Sequence, residues 1–221
     1  MLELATRIVV IRHGETAWNT ESRIQGHTDI PLNDTGLWQA ERVAHALRGE
    51  PLQAVYSSDL QRARATAQAI AEAQNPHAPL TVDAALRERH FGQLEGLTHQ
   101  EIAESWPEQA RRWRERDPSF GPEGGENLQA FYDRCVSTLT RLALRHPGGQ
   151  IAVVAHGGVL DCFYRAATHT ALHAPRAWKV GNAAINRLSY SPEGFTLLDW
   201  ADEHHLGEAL DEISDGAVRT A

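Results

Sequence analysis

Two cysteines among 221 residues, Cys135 and Cys162, leave this chain without the makings of a disulfide framework or a thiolate zinc site. They are far apart in sequence and sit inside apolar patterns. No apolar run approaches the ~20 residues that span a bilayer. The start, residues 1–6, carries no basic-plus-apolar leader. The expected location is therefore cytoplasmic, with no membrane partner. Positive charge is in deficit: 21 Lys and Arg against 29 Asp and Glu give a net charge of −8. Non-specific affinity for nucleic acid is not expected from such a balance. Any anion site must be a local gathering of basic groups. Repeats of fixed period and low-complexity tracts are also missing. What is there, 42% hydrophobic and 23% charged residues, suits one globular domain of generous size.

The chain is organised around residues 7–19, RIVVIRHGETAWN. Arg7 to Ile11 is a short β-branched run that reads as a buried strand. It stops at Arg12-His13-Gly14, where a guanidinium and an imidazole meet a residue that lets the backbone turn and approach a ligand closely. Residues 151–158, IAVVAHGG, repeat the arrangement with His156. Strand ends of this kind are where open α/β sheets bind ligands. Two imidazoles delivered from two strand ends are the candidate centre.

Around it, strands and helices alternate. A polar loop (16–33) leads into a helix to about Gly49, with Leu37, Ala40, Val43, Ala44 and Leu47 as its apolar stripe. Leu52 to Tyr56 reads as a strand, and Ser58 with Gln61 as a capping box opening a helix to about Gln74. Leu80 to Val82 is a third strand. The alternation breaks at about 90–126, where Trp106, Trp113 and Phe120 mix with Arg111, Arg112, Arg114 and Arg116. This stretch reads as an inserted, partly helical cap, its aromatics chiefly packing and alternatively lining a pocket. A long helix over 128–142, the 151–155 strand, a helix over 159–167 and a hairpin (185–190, 195–200) follow. From about Asp202 the tail is acidic and sparsely apolar. The fold class expected is α/β: a three-layer α/β/α sandwich, its central sheet mostly parallel.

Five segments in this order carry a family resemblance: RHGETAWN (12–19), IQGHTDIPLNDTG (24–36), SSDLQRARATA (57–67), LRERHFGQLEG (86–96) and VVAHGG (153–158). In them the chain resembles the histidine phosphatase superfamily, the phosphoglycerate mutase-like proteins. The resemblance implies catalytic roles for Arg12, His13, Arg62, Glu88 and His156. It implies further phosphate and substrate contacts from Asn19, Gln25, Gly26 and Gly157. It implies no cofactor and no metal, a small phosphorylated metabolite as partner, and a homodimer as the assembly to look for.

The chemistry of these residues agrees with those roles. Arg12 and Arg62 offer planar forks for phosphate oxygens. His156 is a third donor if protonated, and a dense anion beside it would raise its pKa. A neutral His13 can attack phosphorus in line to form a phosphohistidine that water later cleaves. Glu88 is the candidate proton donor to the departing alcohol. Each has a plainer alternative: a loop-packing role for the histidines, a solvated Arg62 like Arg64, a surface ion pair of Glu88 with Arg87 or Arg89. Glu15 and Glu95 read equally as structural support or substrate contacts. His169, His173, His204 and His205 are expected to be solvated. A site of His13, His156 and Glu88 for iron is disfavoured because two guanidiniums beside a cation make no electrostatic sense.

The reaction expected is hydrolysis of small phosphomonoesters; the alternative is phosphoglycerate mutase activity. Where glycolytic mutases have a tyrosine after the acidic residue this chain has Phe91, and His99 stands where they have a lysine. Their paired arginines have no clean counterpart, although Arg111, Arg112 and Arg114 lie nearby. The stretches at 122–134, 181–188 and 202–206 look instead like bacterial members that hydrolyse phosphomonoesters. A catalytically silent phosphoester-binding protein is the rival from another class.

Overall fold

Six strands form one sheet in the order β3-β2-β4-β1-β5-β6 in the computed structural model, which describes residues 5–207. They are β1 (Thr6–Arg12), β2 (Ala54–Ser57), β3 (Leu80–Val82), β4 (Gln150–Ala155), β5 (Ile185–Ser191) and β6 (Gly194–Asp202). The first four run parallel to one another, and β5 and β6 add an antiparallel hairpin on the β1 side. The helices are α1 (Ala17–Thr20), α2 (Asp34–Ala46), α3 (Gln61–Ala73), α4 (His99–Ser105), α5 (Pro107–Arg114), α6 (Leu128–Ala143) and α7 (Gly157–Thr168).

Strand periodicity makes the three layers. Successive side chains of β1 point to opposite faces. Ile8 and Val10 join the core under α6 and α7, whereas Val9 and Ile11 join the one under α2 and α3. β1 and β4 are covered on both faces, which is why each reads as a continuous apolar run. The expected α/β/α sandwich is what forms. A separate small core of Ile24, Leu94, Ile102 and Ala110, flanked by Phe91, Trp106 and Trp113, holds α4 and α5 as the cap.

Three local expectations need correction. Ser58 and Gln61 make no capping box: α3 has Leu60 at its N-cap, without a side-chain cap bond. Asp29 Oδ1, from a distant loop, accepts the Gln61 N–H instead at 2.8 Å. Leu37 faces out, 50% exposed, because α2 turns Gly36, Ala40, Val43 and Ala44 inward. His205 is buried rather than solvated, its Nε2 3.1 Å from Ala183 O. The rest of the acidic tail, 208–221, lies outside the described residues, as do residues 1–4 at the start.

Candidate active site

Ladder pairing fixes the centre. β1 and β4 are hydrogen-bonded neighbours, and the ladder continues past them as His13 N donates to Ala155 O at 3.0 Å. His13 and His156, one residue beyond each strand, therefore emerge side by side. Their ring centroids lie 5.2 Å apart with the planes tilted by 58°. Both are buried.

His13 Nδ1 stands 2.7 Å from the carbonyl oxygen of Gly14. A carbonyl only accepts, so Nδ1 carries the proton and Nε2 keeps its lone pair. Burial, followed by the charges of Arg62 and Arg12, holds the His13 pKa well below the usual imidazole value. Burial, then Arg62, His13 and Arg12, do the same to His156. Among these protein groups His156 is neutral and offers one N–H, rather than the charged donor that the sequence allows.

Arg62 sits in the first turn of α3, wholly buried. Its Nη1 donates to Thr28 O and its Nη2 to Gly26 O, both at 2.8 Å. Burial lowers its pKa to about 10, which leaves it charged at neutral pH. Arg12 donates from Nη1 to Val180 O at 2.7 Å, and burial lowers its pKa against the opposing pull of Glu88. Four buried nitrogens here meet no partner among the described residues: Arg12 Nε, Arg62 Nε, and both ring nitrogens of His156. With His156 neutral, three of the four are donors, two of them on cations, and unpaired buried donors are costly unless an acceptor completes them. The arrangement is built for a dense anion.

Glu88 reaches the same place from the root of the cap. Its Oε2 accepts Gly158 N, in the first turn of α7, and its Oε1 accepts Arg89 N, each at 2.8 Å. A Cβ on Gly158 would overlap Glu88 Oε1 and press on Phe131, so a side chain there would have to push the carboxylate out of this position. The neighbouring arginines are engaged elsewhere. Arg87 pairs with Asp59 at 2.7 Å, and Arg89 donates to the carbonyls of Glu126 and Phe120. The surface ion pair considered for Glu88 is not what forms.

The remaining expected contacts are mixed. Gln25 is buried with Oε1 unpartnered, and Gly157 opens α7 against the Arg12 guanidinium. Gly26 contributes its carbonyl to Arg62. Asn19 is half-buried, and its Oδ1 accepts Thr16 N and the Thr16 hydroxyl, closing the capping box of α1. Glu95 is a scaffold group: its carboxylate accepts His27 N, Thr28 N and the Thr28 hydroxyl, shaping the loop that receives Arg62. At Gly14 the missing side chain makes room for Gly36 O, which a Cβ would overlap. Of the cap aromatics Trp113 lines the cleft beside Glu88, while Phe120 is buried.

Sequence reasoning missed Asn182, whose Nδ2 donates to His13 O at 2.9 Å, and Thr66, whose hydroxyl accepts Gly14 N at 3.1 Å. Asn182 stands in the 181–188 stretch noted above for its resemblance, so a signal existed. Thr66 carried none beyond lying one turn after Arg62. Among the described residues no three or more His, Cys, Asp or Glu groups gather as a metal site. No helix there is long and apolar enough to cross a membrane.

Residues 8–203 match the histidine phosphatase superfamily (branch 1). The chain belongs to that superfamily. It is 43% identical over 205 residues to Phosphoglycerate mutase-like protein 4 of Arabidopsis thaliana, covering 91% of this chain and 87% of that one. It is 39% identical over 204 residues to the Metal-independent phosphoserine phosphatase of the same plant, covering 91% and 83%. Among solved structures, Bacillus stearothermophilus YhfR superposes with a TM-score of 0.83 at 30% identity, over 91% of this chain and 99% of that one.

Proposed function

We propose that this protein is a phosphatase that hydrolyses small phosphomonoesters without a metal, through a phosphohistidine on His13. The reading rests above all on the unpartnered buried nitrogens of Arg12, Arg62 and His156, which ask for a tetrahedral anion between them. Those three side chains would hold the nonbridging oxygens and stabilise the charge spread over them in a loose transition state. His13 Nε2 attacks phosphorus in line as the ester P–O bond breaks, and the departing oxygen takes the proton of the Glu88 carboxyl. Water then attacks the phosphohistidine, returns a proton to Glu88, and the P–N bond breaks to restore the lone pair. Family membership and the name of the phosphoserine phosphatase relative support hydrolysis. A cytoplasmic location belongs to the same reading.

The test is steady-state hydrolysis of p-nitrophenyl phosphate with EDTA present. Turnover should survive chelation and fall at least about a thousandfold in His13→Ala, as expected when a covalent nucleophile is removed. Glu88→Gln should slow alkyl phosphates much more than the nitrophenyl ester, whose leaving group needs no proton. Near-wild-type turnover by His13→Ala would end the proposal. Interconversion of 3- and 2-phosphoglycerate faster than phosphate release would replace it with a mutase.

A further inference from the structure

Arg62 and Glu88 come from different parts of the chain, yet three consecutive residues, 26–28, touch both. The carbonyls of Gly26 and Thr28 receive the two Nη groups of Arg62 at 2.8 Å. Between them in sequence stands His27, whose Nε2 lies 2.9 Å from the carbonyl oxygen of Glu88. A carbonyl only accepts, so Nε2 carries the proton. Burial lowers the His27 pKa from the usual imidazole value, against the pull of that hydrogen bond, so the ring is neutral at pH 7. The bond bears directly on the carboxyl group. The peptide unit joining Glu88 to Arg89 is planar. Its carbonyl takes the His27 N–H, and its own N–H, on Arg89, donates to Glu88 Oε1 at 2.8 Å. Rotation of that plane would carry the donor off the carboxylate.

The two ends of this link are not equally supported. On the Arg62 side the Glu95 carboxylate accepts His27 N and Thr28 N at 2.9 Å and the Thr28 hydroxyl at 2.7 Å. The loop therefore keeps its shape without the imidazole, which is half-buried and stacked on His90 with centroids 4.5 Å apart. On the Glu88 side the same carbonyl has a second donor in Arg134 Nη2. That contact is longer, 3.3 Å, and the nitrogen is shared with Glu126 Oε2 at 2.7 Å. Arg134 ties the segment before Glu88 to α6 through the carbonyls of Ala85 and Arg87. His27 ties it to the loop that receives Arg62.

We infer that His27 is a positioning residue: by holding the Glu88–Arg89 peptide it sets where the proton donor stands relative to the anion held by Arg62. The inference rests on the proposed phosphatase reading, in which Glu88 protonates the departing oxygen and Arg62 holds nonbridging ones. Loss of the imidazole N–H should fall on proton delivery and spare anion binding, because Glu95 still shapes the Arg62 loop.

Steady-state kinetics of the full chain on two esters tests this. His27→Phe keeps a ring against His90 and removes the N–H. Its kcat/KM for glycerol 2-phosphate should fall about tenfold or more, as small misplacements of reacting groups do. p-Nitrophenyl phosphate should turn over near the native rate, and inorganic phosphate should inhibit with its native constant. His27→Asn, too short to reach the carbonyl, should show the same split without an added apolar ring. His27→Gln, whose amide nitrogen stands as many bonds from Cβ as Nε2 does, should recover most of the loss. In a Glu88→Gln background His27→Phe should cost little more, the non-additivity of residues that act as a unit. Native glycerol phosphate turnover in His27→Phe and His27→Asn overturns the role of His27 alone. So does an equal loss on both esters with weakened phosphate inhibition, a failure of His27→Gln to recover, or simple additivity with Glu88→Gln. Hydrolysis of neither ester by the native chain overturns it together with the phosphatase reading.

Discussion

His13 and His156 bury two imidazoles under the charges of two arginines, and that has a thermodynamic consequence. Their folded pKa values lie well below 6.5, while an unfolded imidazole titrates near 6.5. Below that pH the unfolded chain binds more protons than the folded one, so folding stability present above 6.5 is lost as pH falls toward the folded values. The melting temperature should therefore drop as pH is lowered from about 6.5 toward 5, and should drop less steeply in His156→Asn. A scan of melting temperature against pH checks this; a flat native profile, or an identical slope in the variant, contradicts it. At this scale the sequence was most legible: the residues that the family resemblance singles out and whose chemistry agrees with it, Arg12, His13, Arg62, Glu88 and His156, are the ones the fold gathers. What it could not show was how each is held, because tautomer and charge state depend on contacts such as Gly14 O and the mutual burial of four basic groups.

Elements place these groups through contacts a sequence pattern does not display. α3 delivers Arg62, yet its first turn is capped by Asp29 from another loop, where a local Ser–Gln box was expected. The periodicity that predicts a helix is local; the partner that starts it is not. α7 offers the clearest case for substitution. Gly158→Ala would force Cβ against Glu88 Oε1 and Phe131, an overpacking that costs about 1–3 kcal/mol of stability. It should also displace the candidate proton donor. Alkyl phosphate turnover should fall by more than nitrophenyl phosphate turnover, while the far-ultraviolet circular dichroism stays native. Equal losses on both esters would mean that the glycine serves packing alone.

Across the whole molecule, the cap and the sheet are joined by charge. Asp161, in α7, accepts Arg165 Nε at 3.0 Å and Arg116 Nη2 at 2.6 Å through a single oxygen. Arg165 is fully buried, with Trp178 against its guanidinium at 4.8 Å. Arg116 also holds Leu172 O at 2.7 Å, so one carboxylate connects the end of the cap, α7 and the loop after it. Asp161→Ala would leave a buried cation uncompensated, which typically costs about 3–5 kcal/mol. Chemical denaturation should report a loss of that order, and a change under 1 kcal/mol would show that water replaces the carboxylate. Neither arginine announced this role in the sequence, where both sit among ordinary helix and cap charges.

The hydrogen bond from His13 to Ala155 O has one more implication. Adjacent strands lie ~4.8 Å apart in any sheet, and the 5.2 Å between the two imidazoles is close to that spacing. The gap between the two histidines is thus a property of the polypeptide backbone, indifferent to the lengths of the loops above it. Such a scaffold can exchange its roof while the two-histidine centre keeps its dimensions.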